Sequence, residues 1–241
     1  MIRVLVTDGM EKGAIEELKN KGFEVVEKFY EPEFLGDELK NFDVIVVRSA
    51  TKVRKAIIDK AAESGKLKLI IRGGVGVDNI DVAYAEEKGI KVTNTPNASS
   101  ASVAELALAH MFAISRFVNI SNVAMRQSKW DKKKYTGVEI GGKTLGLIGF
   151  GRISKELAKK ASALGMTVIY TDIIGKAKGF DEYEYLELND VLKKSDYVSL
   201  HIPFIKESGA TIGKDQLAMM KDGSFLINCA RGGVVDEAAL V

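Results

Sequence analysis

The sequence contains few of the residues that carry metal and disulfide chemistry. Among its 241 residues there is one cysteine, Cys229, and there are two histidines, His110 and His201. A single thiol excludes an internal disulfide bond, which suits a reducing compartment such as the cytoplasm. Because these three residues are widely separated and form no ligand cluster, we expect no metal site.

Long apolar runs and an excess of one charge are also missing. No stretch reaches the ~18 consecutive apolar residues of a membrane span, and the N-terminal MIRVLVTDGM lacks the apolar core of a signal peptide. Lys and Arg number 35 and Asp and Glu 33, a formal net charge of +2. A nucleic-acid binder would carry a basic stripe. We therefore expect neither a membrane nor a nucleic-acid partner.

The sequence does contain an alternation of buried strands and amphipathic helices. Apolar runs such as IRVLVTD (2–8) and DVIVVRS (43–49) enclose helical patterns such as EKGAIEELKNKG (11–22). Such continuous β-branched runs are typical of parallel strands that are covered on both faces. The alternation pauses after residue 98 and restarts at 143. The pattern predicts an α/β fold with two doubly wound parallel-sheet domains, residues 1–98 and 99–241.

The segment between the two alternations reads as one long helix. In the stretch 98–127, Ser102 and Glu105 have the spacing of a capping box, and helical spacing continues from there for about seven turns. His110 lies among apolar neighbours at this spacing, so we expect it in the core. The polar stretch 128–142 follows, and its lysines are expected at a solvated surface.

The segment LGLIGFGRIS (145–154) resembles a phosphate-binding loop. Gly149, Gly151 and Ser154 occupy the three small positions of G-x-G-x-x-G/A, between an apolar strand and a helical pattern. Gly149 can make the tight turn, and Gly151 lets the backbone approach a pyrophosphate at the helix N-terminus. The alternative is a plain strand-to-helix turn.

An acidic residue at the end of the next strand favours the dinucleotide interpretation. Asp172 follows TVIYT and lies 21 residues after Gly151, where a carboxylate accepts hydrogen bonds from the adenosine ribose. The residues that follow it, Ile173 to Gly175, include no arginine for a 2′-phosphate. The sequence therefore predicts NAD rather than NADP. The alternative role for Asp172 is that of a helix cap.

Three further segments place arginines at predicted strand ends. They are INCARGG (227–233) with Arg231, RGGVGVDNID (72–81) with Arg72 and an anion nest around Gly74, Val75 and Gly76, and VVRSATK (46–52) with Arg48 and Ser49. Ligands of open α/β sheets bind at the carboxyl ends of the strands. Three guanidinium groups there would suit a small, multiply anionic substrate. Alternatively, these arginines cap turns or are solvated.

His201 ends the predicted strand DYVSLHI beside Pro203. A contact on the nicotinamide side is one role open to it. A general acid–base role is less favoured, because no carboxylate near it in sequence would orient the ring. Cys229 has no neighbouring base to activate it as a nucleophile, so a structural role is expected.

Together these motifs resemble a known family. RGGVGVDNID, NTPNASSASVAELALAHM, GKTLGLIGFGRI and NCARGGVVDEAAL, in this order, are similar to the D-isomer-specific 2-hydroxyacid dehydrogenases, and the likeness covers the whole chain. The resemblance implies a flavodoxin-like substrate domain, a Rossmann nucleotide-binding domain, an active site in the cleft and a homodimer formed through the 99–127 helix and the following arm.

The resemblance also implies site residues. The cofactor-binding set comprises Gly149, Gly151, Arg152, Ile153, Asp172, His201, Ile202, Pro203, Cys229, Ala230 and Arg231. The substrate-binding set comprises Arg48, Ser49, Gly74, Val75 and Gly76. Arg231 is implied as the catalytic arginine that binds the substrate carboxylate and polarises the reacting oxygen, while the nicotinamide of NAD carries the redox chemistry.

Within the family, the motifs are most like those of members that oxidise D-3-phosphoglycerate in serine biosynthesis. The alternatives are reduction of hydroxypyruvate or glyoxylate, and an NAD-binding protein with impaired catalysis. The last arises because the family's acid–base glutamate and histidine follow the NCARGG motif at positions beyond Val241. The nucleotide domain is therefore expected to be incomplete at its C-terminal end and the 241-residue chain to be a poor catalyst.

Overall fold

A computed structural model describes all 241 residues of the chain. The chain divides into two compact units, unit 1 (Met1–Ser99) and unit 2 (Ser100–Val241). Each unit is an α/β layer structure, and each is described separately below.

Unit 1 is built on a five-stranded parallel sheet. Its strands are β1 (Arg3–Val6), β2 (Glu24–Glu27), β3 (Val44–Val47), β4 (Leu69–Arg72) and β5 (Lys91–Asn94). Its helices are α1 (Lys12–Asn20), α2 (Pro32–Glu38), α3 (Lys55–Ala62) and α4 (Val82–Glu87), and a 3₁₀ turn, Leu39–Asn41, follows α2. The spatial order β2-β1-β3-β4-β5 is that of flavodoxin-like folds, whose switch point lies between β1 and β3.

The central strands of unit 1 are covered on both faces, which explains their unbroken apolar sequences. Leu5, Ile45 and Ile70 lie in adjacent strands and are fully buried with residues of α2 and α3. On the opposite face Val4, Val6 and Val46 form a second buried cluster. Both the parallel pairing and the doubly wound arrangement predicted for this region are confirmed.

Unit 2 repeats the architecture with a different strand order. Its strands are β6 (Thr144–Ile148), β7 (Thr167–Thr171), β8 (Glu184–Tyr185), β9 (Tyr197–Leu200) and β10 (Phe225–Asn228). Its helices are α5 (Ser100–Ser115), α6 (Val118–Arg126), α7 (Arg152–Ala163), α8 (Leu188–Lys194), α9 (Lys214–Met219) and α10 (Glu237–Leu240), with a 3₁₀ turn at Lys132–Tyr135. The order β10-β9-β6-β7-β8 reproduces five strands of the dinucleotide-binding arrangement.

Close packing in unit 2 requires a glycine inside β6. A Cβ atom added to Gly146 would overlap the hydroxyl of Ser195 and approach Val191 Cγ1 to 2.7 Å. Ser195 is fully buried and donates a hydrogen bond to the carbonyl of Val191 at 2.6 Å. Because Gly146 has no side chain, α8 can pack closely against the sheet.

The single long helix predicted for residues 98–127 is wrong. The segment is broken into α5 and α6, whose axes differ by 62°. Phe117 has a left-handed backbone conformation with φ 54°, which ends the regular hydrogen bonding between the two helices. The apolar periodicity continues through the break, so spacing alone did not reveal it.

Two details of this segment also differ from expectation. The predicted capping box is absent, because α5 begins at Ser100 and Ser102 lies inside the helix, while Glu105 pairs with Lys160 of α7 at 3.3 Å. His110 is exposed rather than in the core. The buried positions of α5 are Ser100, Ala104, Ala107, Leu108, Met111 and Ser115.

The segment after α6 is irregular, and its lysines at 132–134 are exposed, as predicted. No single helix of the chain is long and apolar enough to cross a membrane; α5 and α6 pass such a test only as a bent pair.

Candidate functional site

The glycine loop of unit 2 joins β6 to α7 at the carboxyl edge of the sheet. Gly149 has φ 85°, a conformation that other residues rarely adopt, and it lies directly against the chain that leaves β9. A Cβ atom there would come within 2.7 Å of Ile202 Cγ2 and 2.8 Å of the His201 carbonyl oxygen. Gly149 is therefore required by both conformation and space.

Gly151 differs from Gly149 in both respects. Its φ is −79°, and a Cβ atom added to it would meet nothing within 4 Å. Gly151 is the N-cap of α7, and Arg152 and Ile153 begin the helix with backbone N–H groups that have no acceptor inside it. The space above Gly151 is thus open next to a helix N-terminus.

Ser154 fills the third small position of the loop. It is fully buried, and its hydroxyl donates a hydrogen bond to the carbonyl of Gly149. A glycine or alanine would leave this carbonyl without the bond. The serine therefore fixes the turn that it closes.

Asp172 holds the loop from the side of β7. One carboxylate oxygen accepts a hydrogen bond from the Phe150 N–H at 2.6 Å, and the other accepts from the Ile174 N–H at 2.9 Å. The sequence places Asp172 at the strand end but does not reveal that it connects two loops. Near it, Lys176 is paired with Asp181 at 2.7 Å.

An aromatic cluster supports these loops from below. The Phe150 ring stacks on Tyr170 with centroids 3.8 Å apart and meets Phe180 and Tyr183 edge-on. The Tyr170 hydroxyl accepts a hydrogen bond from the Ala177 N–H at 2.8 Å, which ties the loop after β7 to the core. Sequence reasoning missed this cluster because its members are scattered over 34 positions.

His201 leaves β9 next to Gly149. Its Nε2 lies 3.0 Å from the Ser199 hydroxyl, and its buried Nδ1 has no hydrogen-bond partner. Burial lowers the pKa of the imidazole from 6.5 to about 4, because charging it would require solvation that the site lacks. Ile202 and Pro203 follow at the same edge, Ile202 half-buried and Pro203 exposed.

The turn after β10 carries Cys229, Ala230 and Arg231. Asn228 shapes it, because its side-chain oxygen accepts from the Ala230 N–H at 3.0 Å and its amide donates to the Arg231 carbonyl at 2.8 Å. The Arg231 guanidinium donates to the Ala230 carbonyl at 2.8 Å. Burial raises the pKa of the Cys229 thiol, so the thiolate is disfavoured there.

In unit 1, Arg48 and Ser49 follow β3, and both are exposed. The glycine loop after β4 lies beside them, since the Gly73 N–H donates to the Val47 carbonyl at 2.8 Å. Gly74 has φ 156°, and a Cβ there would overlap the guanidinium of Arg72, which folds over the loop. The Asn94 side-chain amide donates to the carbonyl of Val75, and Gly76 continues the loop.

The unit 2 site fits a dinucleotide on two observations. A Cβ atom at Gly151 would stand in open space, and the N–H groups of the first turn of α7 beside it are available to an anion. Asp172 is fixed at the end of the neighbouring strand. Strand order, loop and helix therefore define a nucleotide-binding domain of the α/β class.

Comparison with known proteins places this domain in one family. The family model for the NAD-binding domain of the D-isomer specific 2-hydroxyacid dehydrogenases matches residues 108–241. The chain is 47% identical to hydroxypyruvate reductase of Thermotoga maritima, over 99% of this chain and 77% of the relative. It is 42% identical to D-3-phosphoglycerate dehydrogenase of Methanocaldococcus jannaschii, over 100% of this chain and 46% of the relative.

A solved structure supports the same family assignment. D-lactate dehydrogenase of Aquifex aeolicus, complexed with NAD and lactic acid, superimposes with a TM-score of 0.84 at 32% identity, covering 98% of this chain and 72% of that one. The chain therefore belongs to the D-isomer specific 2-hydroxyacid dehydrogenases, and NAD is its cofactor. It spans about half the length of the phosphoglycerate dehydrogenases that it matches.

Proposed function

We propose that the chain belongs to a cytoplasmic, homodimeric enzyme that oxidises D-3-phosphoglycerate to 3-phosphohydroxypyruvate with NAD, a step of serine biosynthesis. Relatives named D-3-phosphoglycerate dehydrogenase match along the whole chain at 37–42% identity. In this proposal unit 1 (residues 1–98 in the sequence-based division) binds the substrate and unit 2 (99–241) binds NAD.

The observation that carries the substrate class is the placement of two arginines in unit 1. Arg72 is the last residue of β4 and pairs in register with Val47 of β3, and Arg48 follows Val47 directly. Both guanidinium-bearing residues therefore stand at the carboxyl edge of adjacent strands. A phosphorylated 2-hydroxy acid carries two anionic ends, and arginine binds carboxylate and phosphate oxygens through paired N–H groups.

In this mechanism each residue binds or orients. Bound NAD would supply the redox chemistry, the acceptance of a hydride from the substrate. The N–H groups of the first turn of α7, at Arg152 and Ile153, would hold its phosphates, with Gly149 and Gly151 shaping the approach. Asp172 would accept hydrogen bonds from the adenosine ribose. His201, Ile202, Pro203, Cys229 and Ala230 would border the cofactor.

On the substrate side, the N–H groups around Gly74, Val75 and Gly76 and the side chains of Arg48, Ser49 and Arg72 would hold the two anionic ends. Arg231 would bind the carboxylate and polarise the reacting oxygen, so that negative charge developing there during reduction is stabilised. Within the 241 residues neither histidine is paired with a carboxylate, so we assign no proton-transfer residue to this chain.

The test compares two oxo acids in the reductive direction. The enzyme should reduce 3-phosphohydroxypyruvate with NADH at a higher kcat/KM than hydroxypyruvate. Arg48→Ala should remove most of this preference, whereas Arg3→Ala, at the start of β1 and away from the carboxyl edge of the sheet, should not. A wild type that reduces hydroxypyruvate with the higher kcat/KM would overturn the phosphorylated substrate.

That outcome would support the second candidate, reduction of hydroxypyruvate or glyoxylate. Similarity to the hydroxypyruvate reductase of Thermotoga maritima favours this candidate. The chain is 47% identical to that enzyme and covers 77% of it, compared with 42% and 46% for the Methanocaldococcus jannaschii phosphoglycerate dehydrogenase.

The dimer proposal rests on an exposed apolar surface that begins at α6. The side chains there are between half and three-quarters exposed: Val118, Ile120, Val123, Met125 and Trp130. Only Ala124 of α6 is buried. So many large apolar side chains exposed on one short helix and the segment after it are more than scattered single residues, and such exposure marks an interaction site.

Sedimentation should therefore show a dimer at micromolar concentration. Val123→Lys should give a monomer, because it would place a charge in the interface. Phe34→Lys, at an exposed apolar position of unit 1, should leave the dimer intact. Monomeric wild type would contradict the proposal.

A further inference from the structure

The loop that carries Arg48 and Ser49 exposes its side chains but has a fixed backbone. Arg48, Ser49 and Ala50 are exposed, whereas Thr51, which closes the loop, is buried. Loops with exposed tips usually have freedom to move. In this loop, hydrogen bonds from two other segments of unit 1 restrict the backbone.

The first side is Asp8, which follows β1. One of its carboxylate oxygens accepts hydrogen bonds from the Arg48 N–H at 2.6 Å and from the Thr51 N–H at 3.0 Å. The other accepts from the Thr51 hydroxyl at 2.6 Å. Thr51 also lies 2.8 Å from the hydroxyl of Thr7, which is buried. Asp8 therefore holds both ends of the loop through hydrogen bonds.

The second side is Asn79, which belongs to the segment after β4. Its amide nitrogen donates to the Arg48 carbonyl and to the Thr51 carbonyl, each at 2.7 Å. Asn79 is itself held, because its carbonyl accepts from the Val53 N–H at 2.8 Å and Arg54 donates to the adjacent Asp78 carbonyl at 2.8 Å. The loop is thus held between an acceptor, Asp8, and a donor, Asn79, and we call these two residues the clamp.

This clamp lies at the switch point between β1 and β3, where flavodoxin-like sheets bind ligands. We propose that Asp8 and Asn79 are positioning residues that preorganise the Arg48–Ser49 loop for an anionic substrate. Neither needs to touch the substrate. The inference rests on the proposed function, since it assumes that Arg48 and Ser49 bind the substrate.

The charge of Asp8 agrees with this role. Hydrogen bonds from Thr51 and Arg48 outweigh the burial that opposes ionisation and lower the pKa of the carboxyl, so it stays ionised at neutral pH. A carboxylate only accepts hydrogen bonds, and all its partners here are donors. A neutral amide in its place would accept more weakly from the two N–H groups through its oxygen, and its NH2 group would face the Thr51 hydroxyl, which now donates to Asp8.

The test uses Asp8→Asn and a matched control in the same sheet. Asp43 precedes β3 at the opposite edge and accepts from the Arg3 N–H at 2.8 Å, so Asp43→Asn removes the charge from a comparable hydrogen bond away from the loop. Asp8→Asn should raise the KM for the preferred oxo acid about 10-fold, as expected for a loss of charge-assisted hydrogen bonds. The kcat and the NADH dissociation constant should change less than about 3-fold. Asp43→Asn should change none of them.

Amide hydrogen exchange gives a second readout that does not need turnover. Protection of the Arg48 and Thr51 amides should fall in Asp8→Asn and persist in Asp43→Asn. If Asp8→Asn does not fold, Asn79→Asp replaces it, because a carboxylate facing two carbonyls opens the clamp from the other side.

The outcomes separate the two proposals. Unchanged protection of the two amides, or an unchanged KM despite lost protection, overturns the inference and leaves the proposed function standing. An equal rise of KM in Asp43→Asn also overturns it. A wild type that reduces neither oxo acid contradicts the proposed function and, with it, the substrate role of the clamp.

Discussion

At the scale of single residues, the fold of unit 2 requires a glycine at position 149 but not at position 151. Gly149 is required for the fold, since its φ is 85° and a Cβ would meet the His201 carbonyl at 2.8 Å. Gly151 has ordinary dihedral angles and open space around it. Its lack of a side chain matters only if something else occupies that space.

We therefore expect different consequences from the same substitution. Gly149→Ala should lower the free energy of unfolding by about 2 kcal/mol or more through backbone strain and overlap. Gly151→Ala should leave stability within about 0.5 kcal/mol but weaken NADH binding at least about 10-fold, because the methyl group enters the pyrophosphate space. Urea denaturation and NADH fluorescence titration measure the two effects. Unimpaired NADH binding by Gly151→Ala would contradict the placement of the phosphates.

His201 gives the stability a pH dependence. Its folded pKa, about 4, lies below the ordinary value of 6.5, so between these values the unfolded chain binds more protons than the folded one. The stabilisation from neutral His201 is present above about pH 6.5 and is lost as the pH falls toward 4. Denaturation curves of wild type and His201→Gln should converge over this range. Parallel pH profiles would show that His201 is not the group responsible.

A site residue could be predicted from the sequence only where it belongs to a local sequence motif. Asp172 and Gly149 lie in a motif with fixed spacing, and the structure places them together at one sheet edge, although their contacts with NAD stay predictions. Asp8, Thr51 and Asn79 converge from three segments, up to 71 positions apart, so no local pattern reveals them. His110 was misplaced because α5 is apolar on most of its surface and its spacing does not identify the buried face.

At the scale of elements, the strands and most helices were predictable because each carries a pattern set by its covering layers. The break at Phe117 was not, since it depends on one left-handed residue rather than on composition. The docking of α5 depends on a polar contact that spacing cannot show. The Ser115 hydroxyl lies 2.6 Å from the Tyr197 hydroxyl of β9, and both residues are buried.

This contact predicts an asymmetry between two small substitutions. Ser115 also donates to the Met111 carbonyl, so Tyr197 supplies the proton between the hydroxyls. Tyr197→Phe removes a donor and leaves Ser115 bonded, which should cost about 1 kcal/mol. Ser115→Ala leaves a buried tyrosine hydroxyl without its acceptor and should cost about 2 to 3 kcal/mol. Equal losses in urea denaturation would contradict this assignment of the proton.

At the scale of the whole molecule, cofactor binding and turnover place different demands on these 241 residues. The glycine loop, α7 and Asp172 are all formed within unit 2, whereas neither histidine is paired with a carboxylate. We expect the isolated 241-residue polypeptide to bind NADH, and to bind it more tightly than NADPH, yet to turn over slowly. Positioned acid–base groups contribute about 10²- to 10⁴-fold to such rates.

Fluorescence titration with both cofactors and a turnover assay with 3-phosphohydroxypyruvate check this prediction. The full-length relative from Methanocaldococcus jannaschii serves as the positive control for turnover. Tighter NADPH binding would overturn the role given to Asp172. A turnover close to that of the control would show that a residue within this chain moves the proton, and His201 would be the first to substitute.

The double use of Asp172 limits how the cofactor preference of this scaffold can be redesigned. Replacing the aspartate with a small neutral residue is an obvious way to admit a 2′-phosphate, but its two oxygens also receive the Phe150 and Ile174 N–H groups. Such a change would free both loops while it removes the charge. A switch to NADP therefore calls for a residue that still accepts hydrogen bonds, such as asparagine or serine, together with release of Lys176 from Asp181 to meet the added phosphate.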